Sequence, residues 1–231
     1  MVLNIIALIT TYLFASIPFI YLLGASKGIN IYKSGTNNPG SSNLIQQAGF
    51  VTGIIGVLAD LLKGTLPVVL TTWLGFDLWI ISLASVLAVS GQMWPALLLI
   101  KGGRGNVTTV GATLTIVPWA LLISFIPPLI GFLWKESTQK AHAKQQGTQG
   151  EFLQGPQSKI APLGVLMGIV IFPIATWFTN YPQELVFGIT AITCLIIIRR
   201  LTASLQTDRQ SKERNLLSIL ISRLLFDRPI P

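Results

Sequence analysis

Val107-Thr108-Thr109-Val110-Gly111-Ala112-Thr113-Leu114-Thr115-Ile116-Val117-Pro118-Trp119-Ala120-Leu121-Leu122-Ile123-Ser124-Phe125-Ile126-Pro127-Pro128-Leu129-Ile130-Gly131-Phe132-Leu133-Trp134 carries no charge from end to end. A hydrocarbon core of about 30 Å takes roughly 20 apolar residues per helix, so the run fits one crossing helix or two short ones folded about Pro118. Charge separates the two. Residues 135–159 carry Lys135, Lys140, Lys144 and Lys159, and the tail from Arg199 holds seven of the sixteen Lys and Arg. A single crossing places these opposite Lys27, Lys33, Lys101 and Arg104. A hairpin places every Lys and Arg outside a span on one side and leaves the other with only Asp77 and Glu184. Cytoplasmic loops concentrate Lys and Arg, so the sequence predicts the hairpin, its two short arms tilted or buried among neighbours.

The rest of the chain is organised around that choice. Its 231 residues are 51% hydrophobic and only 10% charged, with a mean hydropathy of +0.66; one water-soluble core cannot hide so much apolar surface, and the bilayer is the solvent. Apolar runs at 2–24, with Pro18 inside, 48–74, 78–100, 160–180 and 184–198 join the hairpin to make seven spans. The expected fold is an all-α polytopic integral membrane protein, amino terminus outside and carboxyl terminus cytoplasmic. Residues 1–198 form a single membrane domain with a hydrophilic cytoplasmic insert at 135–159, and 199–231 form a basic amphipathic cytoplasmic tail. Leu216, Leu217, Ile219, Leu220, Ile221, Leu224 and Leu225 alternate there with Arg214, Arg223 and Arg228, as in a helix lying on an anionic leaflet. The net charge of +8 reports orientation; nucleic-acid binders carry more cations and fewer apolar runs. The first 24 residues lack a basic n-region and a small-residue cleavage site, so they read as a retained span. A lone cysteine, Cys194, excludes a disulfide framework and a zinc site, and no inverted repeat of the transporter kind is visible.

On this topology two glycine-rich stretches share the cytoplasmic face. Lys101-Gly102-Gly103-Arg104-Gly105 interleaves glycines with cations, which suits wrapping N–H groups and positive charge round an anion. Gly35-Thr36-Asn37-Asn38-Pro39-Gly40-Ser41-Ser42-Asn43 offers hydroxyls and amides of the kind a phosphate recruits. The same residue types are the default turn formers, so each stretch alone reads equally as a turn. Asp60 and Lys63 stand three residues apart inside a span, on one helical face, where an opposite-sign pair either serves function or neutralises itself. His142 reads as a solvated residue of the insert, and the six tryptophans as interfacial belts. No Ser-His-Asp set, metal-spaced histidine pair or carboxylate dyad is present.

Together these motifs resemble the bacterial acyl-phosphate:glycerol-3-phosphate acyltransferases, seven-span enzymes that make lysophosphatidic acid. The first loop is similar to that family's Gly-Ser-Gly-Asn-x-Gly-Ala-Thr-Asn. Asp60-Leu61-Leu62-Lys63-Gly64 resembles its Gly-Asp-x-x-Lys-Gly less the first glycine. Gly91-Gln92-Met93-Trp94-Pro95 followed by Lys101 to Thr108 is similar to its Gly-His-x-x-Pro and Lys-Gly-Gly-Lys-Gly-Val-Ala-Thr. The resemblance implies catalytic roles for Thr36, Asn38, Lys101 and Arg104, and substrate-phosphate contacts from Gly35, Asn37, Gly40, Ser42, Asn43, Gly102, Gly103, Gly105 and Thr108. It gives Asp60, Lys63 and Gln92 supporting places. It implies transfer of an acyl group from acyl phosphate to the 1-hydroxyl of glycerol-3-phosphate in phospholipid synthesis, without metal or cofactor. The setting is the bacterial plasma membrane, with lipid around the chain and a soluble acyl-phosphate-producing enzyme as a partner. Gln92 stands where the family has histidine, Arg104 where it has a second lysine, Gln46 where it has arginine and Pro162 where it has serine. Of its third motif, His-Arg-x-Asn-Ile-x-Arg-Leu, this chain keeps only the basic pair Arg199-Arg200. These departures leave a second reading, a non-catalytic paralogue that binds acyl phosphate or phospholipid head groups as a regulator or scaffold.

Overall fold

Pro18 has no N–H to donate and splits the first apolar run into α1 (Val2–Ala15) and α2 (Phe19–Ala25), where the sequence reads as one continuous span. The computed structural model describes residues 1–95, 102–146, 160–203 and 215–227, without side chains for 135–146. Helices α3 (Ser41–Ala48), α4 (Phe50–Trp73), α5 (Leu78–Met93) and α6 (Asn106–Leu114) follow, then α7 (Pro118–Gln146), α8 (Ile160–Phe178), α9 (Gln183–Thr202) and α10 (Leu216–Phe226). The run 107–134 is therefore two helices meeting at a corner of three residues, 115–117. The first part of the expected insert continues α7 as helix to Gln146; the remainder of the insert, residues 204–214 of the tail and Lys101 lie outside the described residues. Val2–Ala25, Phe50–Trp73, Ile160–Phe178 and Gln183–Thr202 are long and apolar enough to cross a membrane, and Leu78–Met93, Pro118–Trp134 and Leu216–Phe226 are shorter apolar helices.

Helix α4 shows which solvent this chain is built for. Its buried residues are Thr52, Gly53, Gly56, Asp60, Lys63, Gly64, Pro67, Val68 and Thr71, one stripe at spacings of three and four and mostly small or polar. Its exposed face is Val51, Leu58, Leu62, Leu66 and Leu70. In water that order would be reversed; in lipid, small residues let helices approach and polar ones turn inward. A Cβ on Gly64 would meet the backbone of Thr108 and Ala112, and one on Gly111 the carbonyl of Leu61. The Thr65 hydroxyl closes this crossing with a bond to the Gly111 carbonyl at 3.0 Å.

Contacts define two ends of the bundle. At one, the Ser82 hydroxyl donates to the Glu184 carbonyl at 2.7 Å and the Trp119 N–H to the Tyr181 hydroxyl at 3.4 Å, so the α4–α5, α6–α7 and α8–α9 corners lie together. Gly131 packs on Ile160, Gly164 on Pro127 and Gly168 on Ser124, an antiparallel register that returns α7 and α8 to the other end. There the first loop, the end of α5, residues 102–105, the end of α9 and α10 gather.

The two ends of α9 and α10 cap one another. Arg223, 2% exposed, donates to the Ala203 carbonyl and, at 3.5 Å, to that of Leu201. Arg200, equally buried, donates to the Leu224 carbonyl at 3.2 Å and to Pro162 at 3.0 Å. A helix leaves its last carbonyls without intrahelical partners, and each arginine serves the other helix. The tail helix thus docks on the bundle with Arg223 turned inward, while Leu217 and Ile221 are exposed.

Candidate active site

The first loop is held by one amide. Asn43, 2% exposed, donates through Nδ2 to the carbonyls of Ile31 (3.3 Å), Ser34 (3.0 Å) and Asn38 (3.0 Å), and its Oδ1 accepts from the Thr36 N–H at 3.1 Å. Its capacity goes into shaping the loop. The path needs left-handed backbone at Gly35 (φ 60) and Asn37 (φ 55), and a side chain at Gly35 would run into Asn43 and Gln47. Thr36, Asn37 and Ser42 are exposed, Asn38 is half-buried, and Gly40 opens α3. Pro39 is carried inward, its carbonyl 3.2 Å from where a Cβ on Gly103 would stand. The two glycine-rich stretches therefore meet.

Gly102 and Gly103 are pinned from three sides. The Gly103 N–H donates to the Gln92 carbonyl at 3.1 Å, and a Cβ on Gly102 would strike the Gln92 and Met93 carbonyls. Arg199 donates from Nε to the Gly103 carbonyl at 3.0 Å and from Nη2 to that of Gly102 at 2.5 Å, its guanidinium 5.7 Å from the Trp94 ring centroid. Arg104 forms an ion pair with Asp227 just past α10. Gly105 takes φ 76 and starts α6.

Below the hinge lies a buried ion pair. Lys63 is 1% and Asp60 4% exposed, 3.4 Å apart. Lys63 also donates to the Gln92 side-chain carbonyl and stands 5.4 Å from the Phe19 ring centroid. The pair sits inside the bundle. With Ser16, Tyr21, Tyr32, Pro39, Gly102 and Gly103, Lys63 and Gln92 line a cleft. Burial, with Tyr21 adding and Arg199 opposing, pushes the Tyr32 phenol up to about 12, so it remains a neutral hydroxyl across the physiological range. The cleft has about 20 Å³ of room, enough for about one water.

A second cavity, about 230 Å³, lies between α6, α7, α8 and α9. Its wall is mostly apolar; Ser124 and Thr193 there donate to the Leu121 and Ile169 carbonyls, whereas near the start of α6 Asn106 Oδ1 and Thr109 Oγ1 are buried without a hydrogen-bond partner among the described residues. Thr108, 1% exposed, faces the α4 crossing, and its hydroxyl is likewise unmatched.

Of the residues singled out in the sequence, Lys63, Gln92, Gly102 and Gly103 line the cleft, and Asn38 and Gly40 flank Pro39 beside it. Gly105 packs on Met93 and Val89. Sequence reasoning misses Tyr32, which no local pattern marks, and underrates Arg199, visible there only as half of a basic pair. Among the described residues no three His, Cys, Asp or Glu converge as a metal site would require.

Comparison with known proteins agrees with this architecture. A family model described as "Glycerol-3-phosphate acyltransferase" matches residues 5–207. "Glycerol-3-phosphate acyltransferase 4" of Dehalococcoides mccartyi strain CBDB1 is 29% identical, covering 95% of this chain and 86% of that protein. "Glycerol-3-phosphate acyltransferase" of Geobacter metallireducens is 38% identical over 53% of this chain and 63% of its own length. The crystal structure of PlsY (YgiH), an integral membrane glycerol 3-phosphate acyltransferase in its glycerol 3-phosphate form, superposes with a TM-score of 0.70 at 24% identity, covering 94% of this chain and 98% of that one. That last likeness speaks for the fold alone. By the extent of the family match, the chain belongs to the glycerol-3-phosphate acyltransferase family.

Proposed function

We propose that this protein is a multi-pass membrane enzyme that moves an acyl group from acyl phosphate to the 1-hydroxyl of glycerol-3-phosphate, releasing lysophosphatidic acid and inorganic phosphate. The observation that carries the proposal is convergence: Pro39 of the first loop, Lys63 of α4, Gln92 of α5 and Gly102–Gly103 of the hinge, separated in sequence, line one cleft. In the reaction the substrate hydroxyl oxygen forms a bond to the acyl carbonyl carbon and the carbon–oxygen bond to phosphate breaks. The hydroxyl proton leaves with a phosphate oxygen, so no protein nucleophile is needed. The protein's share is positioning and charge stabilisation. Lys63 and Arg104 supply positive charge to the phosphates, Lys101 adds to it by sequence position, and Thr36, Asn38 and Ser42 supply donors from the loop. The first N–H groups of α6 have no helical acceptor and suit the oxyanion. Asn106 and Thr109 lie at the polar edge of the 230 Å³ cavity, which suits the start of the acyl chain. An acyl phosphate must be made elsewhere, which fits a soluble donor-producing enzyme as partner.

The enzyme is read as seven spans with the amino terminus outside and the site on the cytoplasmic face of a bacterial plasma membrane. Purified full-length protein, given acyl phosphate and glycerol-3-phosphate, is expected to form lysophosphatidic acid, and Arg104→Ala to lower kcat/KM by about tenfold or more. Binding of acyl phosphate with no product would overturn the reading and leave a non-catalytic binder in its place.

A further inference from the structure

Helix α10 begins at Leu216, beyond the residues 5–207 that the family model matches. It ends at Asp227, which closes the helix in left-handed backbone (φ 59) and turns its carboxylate to the hinge. That carboxylate pairs with Arg104 and lies 3.6 Å from Arg200 Nε; the Asp227 carbonyl accepts from Arg104 Nη2 at 3.3 Å. Side chain and backbone of one residue thus hold two nitrogens of one guanidinium, the fork geometry that fixes arginine most firmly. Four arginines, 104, 199, 200 and 223, crowd this corner. Asp227 is the acid the described residues bring to it: Asp60 lies within α4, and Asp77 and Glu184 lie at the opposite end.

We propose that Asp227 is a positioning residue for the acyl-transfer site: through Arg104 it sets the backbone of Gly102 and Gly103, which line the cleft. The hinge is stretched between two anchors, Arg199 on its carbonyls and the Arg104–Asp227 pair one residue further on. Three glycines in four positions give it no stiffness of its own. The tail supplies that stiffness through Asp227, in a chain where only the basic pair of the family's third motif is kept. The proposal rests on the hinge being part of the acyltransferase site.

The test compares full-length wild type, Asp227→Asn, Asp227→Glu, Arg104→Ala and the double variant Arg104→Ala/Asp227→Asn in detergent, with acyl phosphate and glycerol-3-phosphate. Asp227→Asn keeps the size of the side chain and loses the charge; it is expected to raise KM for glycerol-3-phosphate about tenfold with kcat within about twofold. Asp227→Glu is expected to recover part of that, and the double variant to be no worse than Arg104→Ala alone, because the two act as one unit. Burial raises the Asp227 carboxyl above its ordinary range against the pull of Arg104, Arg200 and Arg223. Wild-type KM should therefore climb with acidification while an ordinary aspartate is still ionised, and Asp227→Asn should be flat there. Additive losses in the double variant, an unchanged Asp227→Asn, or a lower KM in Asp227→Asn would each overturn the proposal. If Arg104→Ala is itself inert, the placing of Arg104 in the site fails first, and the positioning role falls with it; if Arg104→Ala is impaired and Asp227→Asn is not, only the positioning role falls.

Discussion

Lys63 is the residue whose surroundings say most about the site. It is 1% exposed inside an apolar helix, paired with Asp60, bonded to Gln92 and set against Phe19. Removing one member of a buried ion pair leaves the other charge uncompensated, a loss of about 3–5 kcal/mol, whereas removing both together is often near neutral. Asp60→Asn is therefore expected to lower the midpoint of thermal unfolding in detergent sharply, and Asp60→Asn/Lys63→Met to regain much of that loss while remaining inactive. A double variant as unstable as Asp60→Asn alone would show that the pair does not act as a unit. The sequence makes the two charges legible as a pair, because three-residue spacing puts them on one face. It does not reveal the depth of burial or the bond to Gln92, which depend on where the end of α5 meets α4. Asn43 teaches the same lesson in reverse. Its type and place suggest a phosphate donor, yet its amide is occupied by four backbone groups of its own loop, and only the path of that loop shows it.

Elements are legible where charge or proline constrains them. The corner at 115–117 follows from the distribution of lysines and arginines together with Pro118. The break after Ala15 has only Pro18 to mark it, and an apolar run reads straight through. Helix crossings are less visible still. Gly64 and Gly111 look like ordinary glycines of membrane helices, but each meets the backbone of the other helix, and α6 sits where it does because neither carries a side chain. Gly64→Leu would drive a branched side chain into the backbone of Thr108 and Ala112, with an overpacking cost of about 1–3 kcal/mol or more. It should displace the start of α6, and with it the hinge, so the variant is expected to lose most activity and to elute broadly on size exclusion. Gly75→Ala is the control: Gly75 has φ 73 but nothing within 4 Å of its Cβ position, and its loss should be confined to backbone strain of about 1–2 kcal/mol without a change in KM. A fully active, monodisperse Gly64→Leu would mean that the α4–α6 approach is not required.

At the scale of the whole molecule two asymmetries have to agree. One is radial: small and polar residues face inward on α4 and large apolar ones outward, which suits lipid and not water. The other is axial. The cations outside α4 whose side chains are described, namely Lys27, Lys33, Arg104, Arg199, Arg200 and Arg223, belong to the end that holds the cleft, while Asp77 and Glu184 belong to the other, where the α4–α5 corner and the start of α9 meet. Each asymmetry alone has a local explanation; on the proposed topology both have one source, apolar solvent setting the first and the bias of cytoplasmic loops towards Lys and Arg the second. The α6–α7 corner is the hinge of this inference. It places the end of α7 on the same side as the end of α9, so a reporter that is active only in the cytoplasm should be active when fused after Gln146 and also when fused at the carboxyl terminus. The same reporter at Asn180, in the α8–α9 corner, should be silent. Opposite signals at Gln146 and the carboxyl terminus would mean that the run 107–134 crosses once in the membrane. The cations of the insert and of the hinge would then face different compartments, and the cytoplasmic site proposed for the cleft would lose its electrostatic basis.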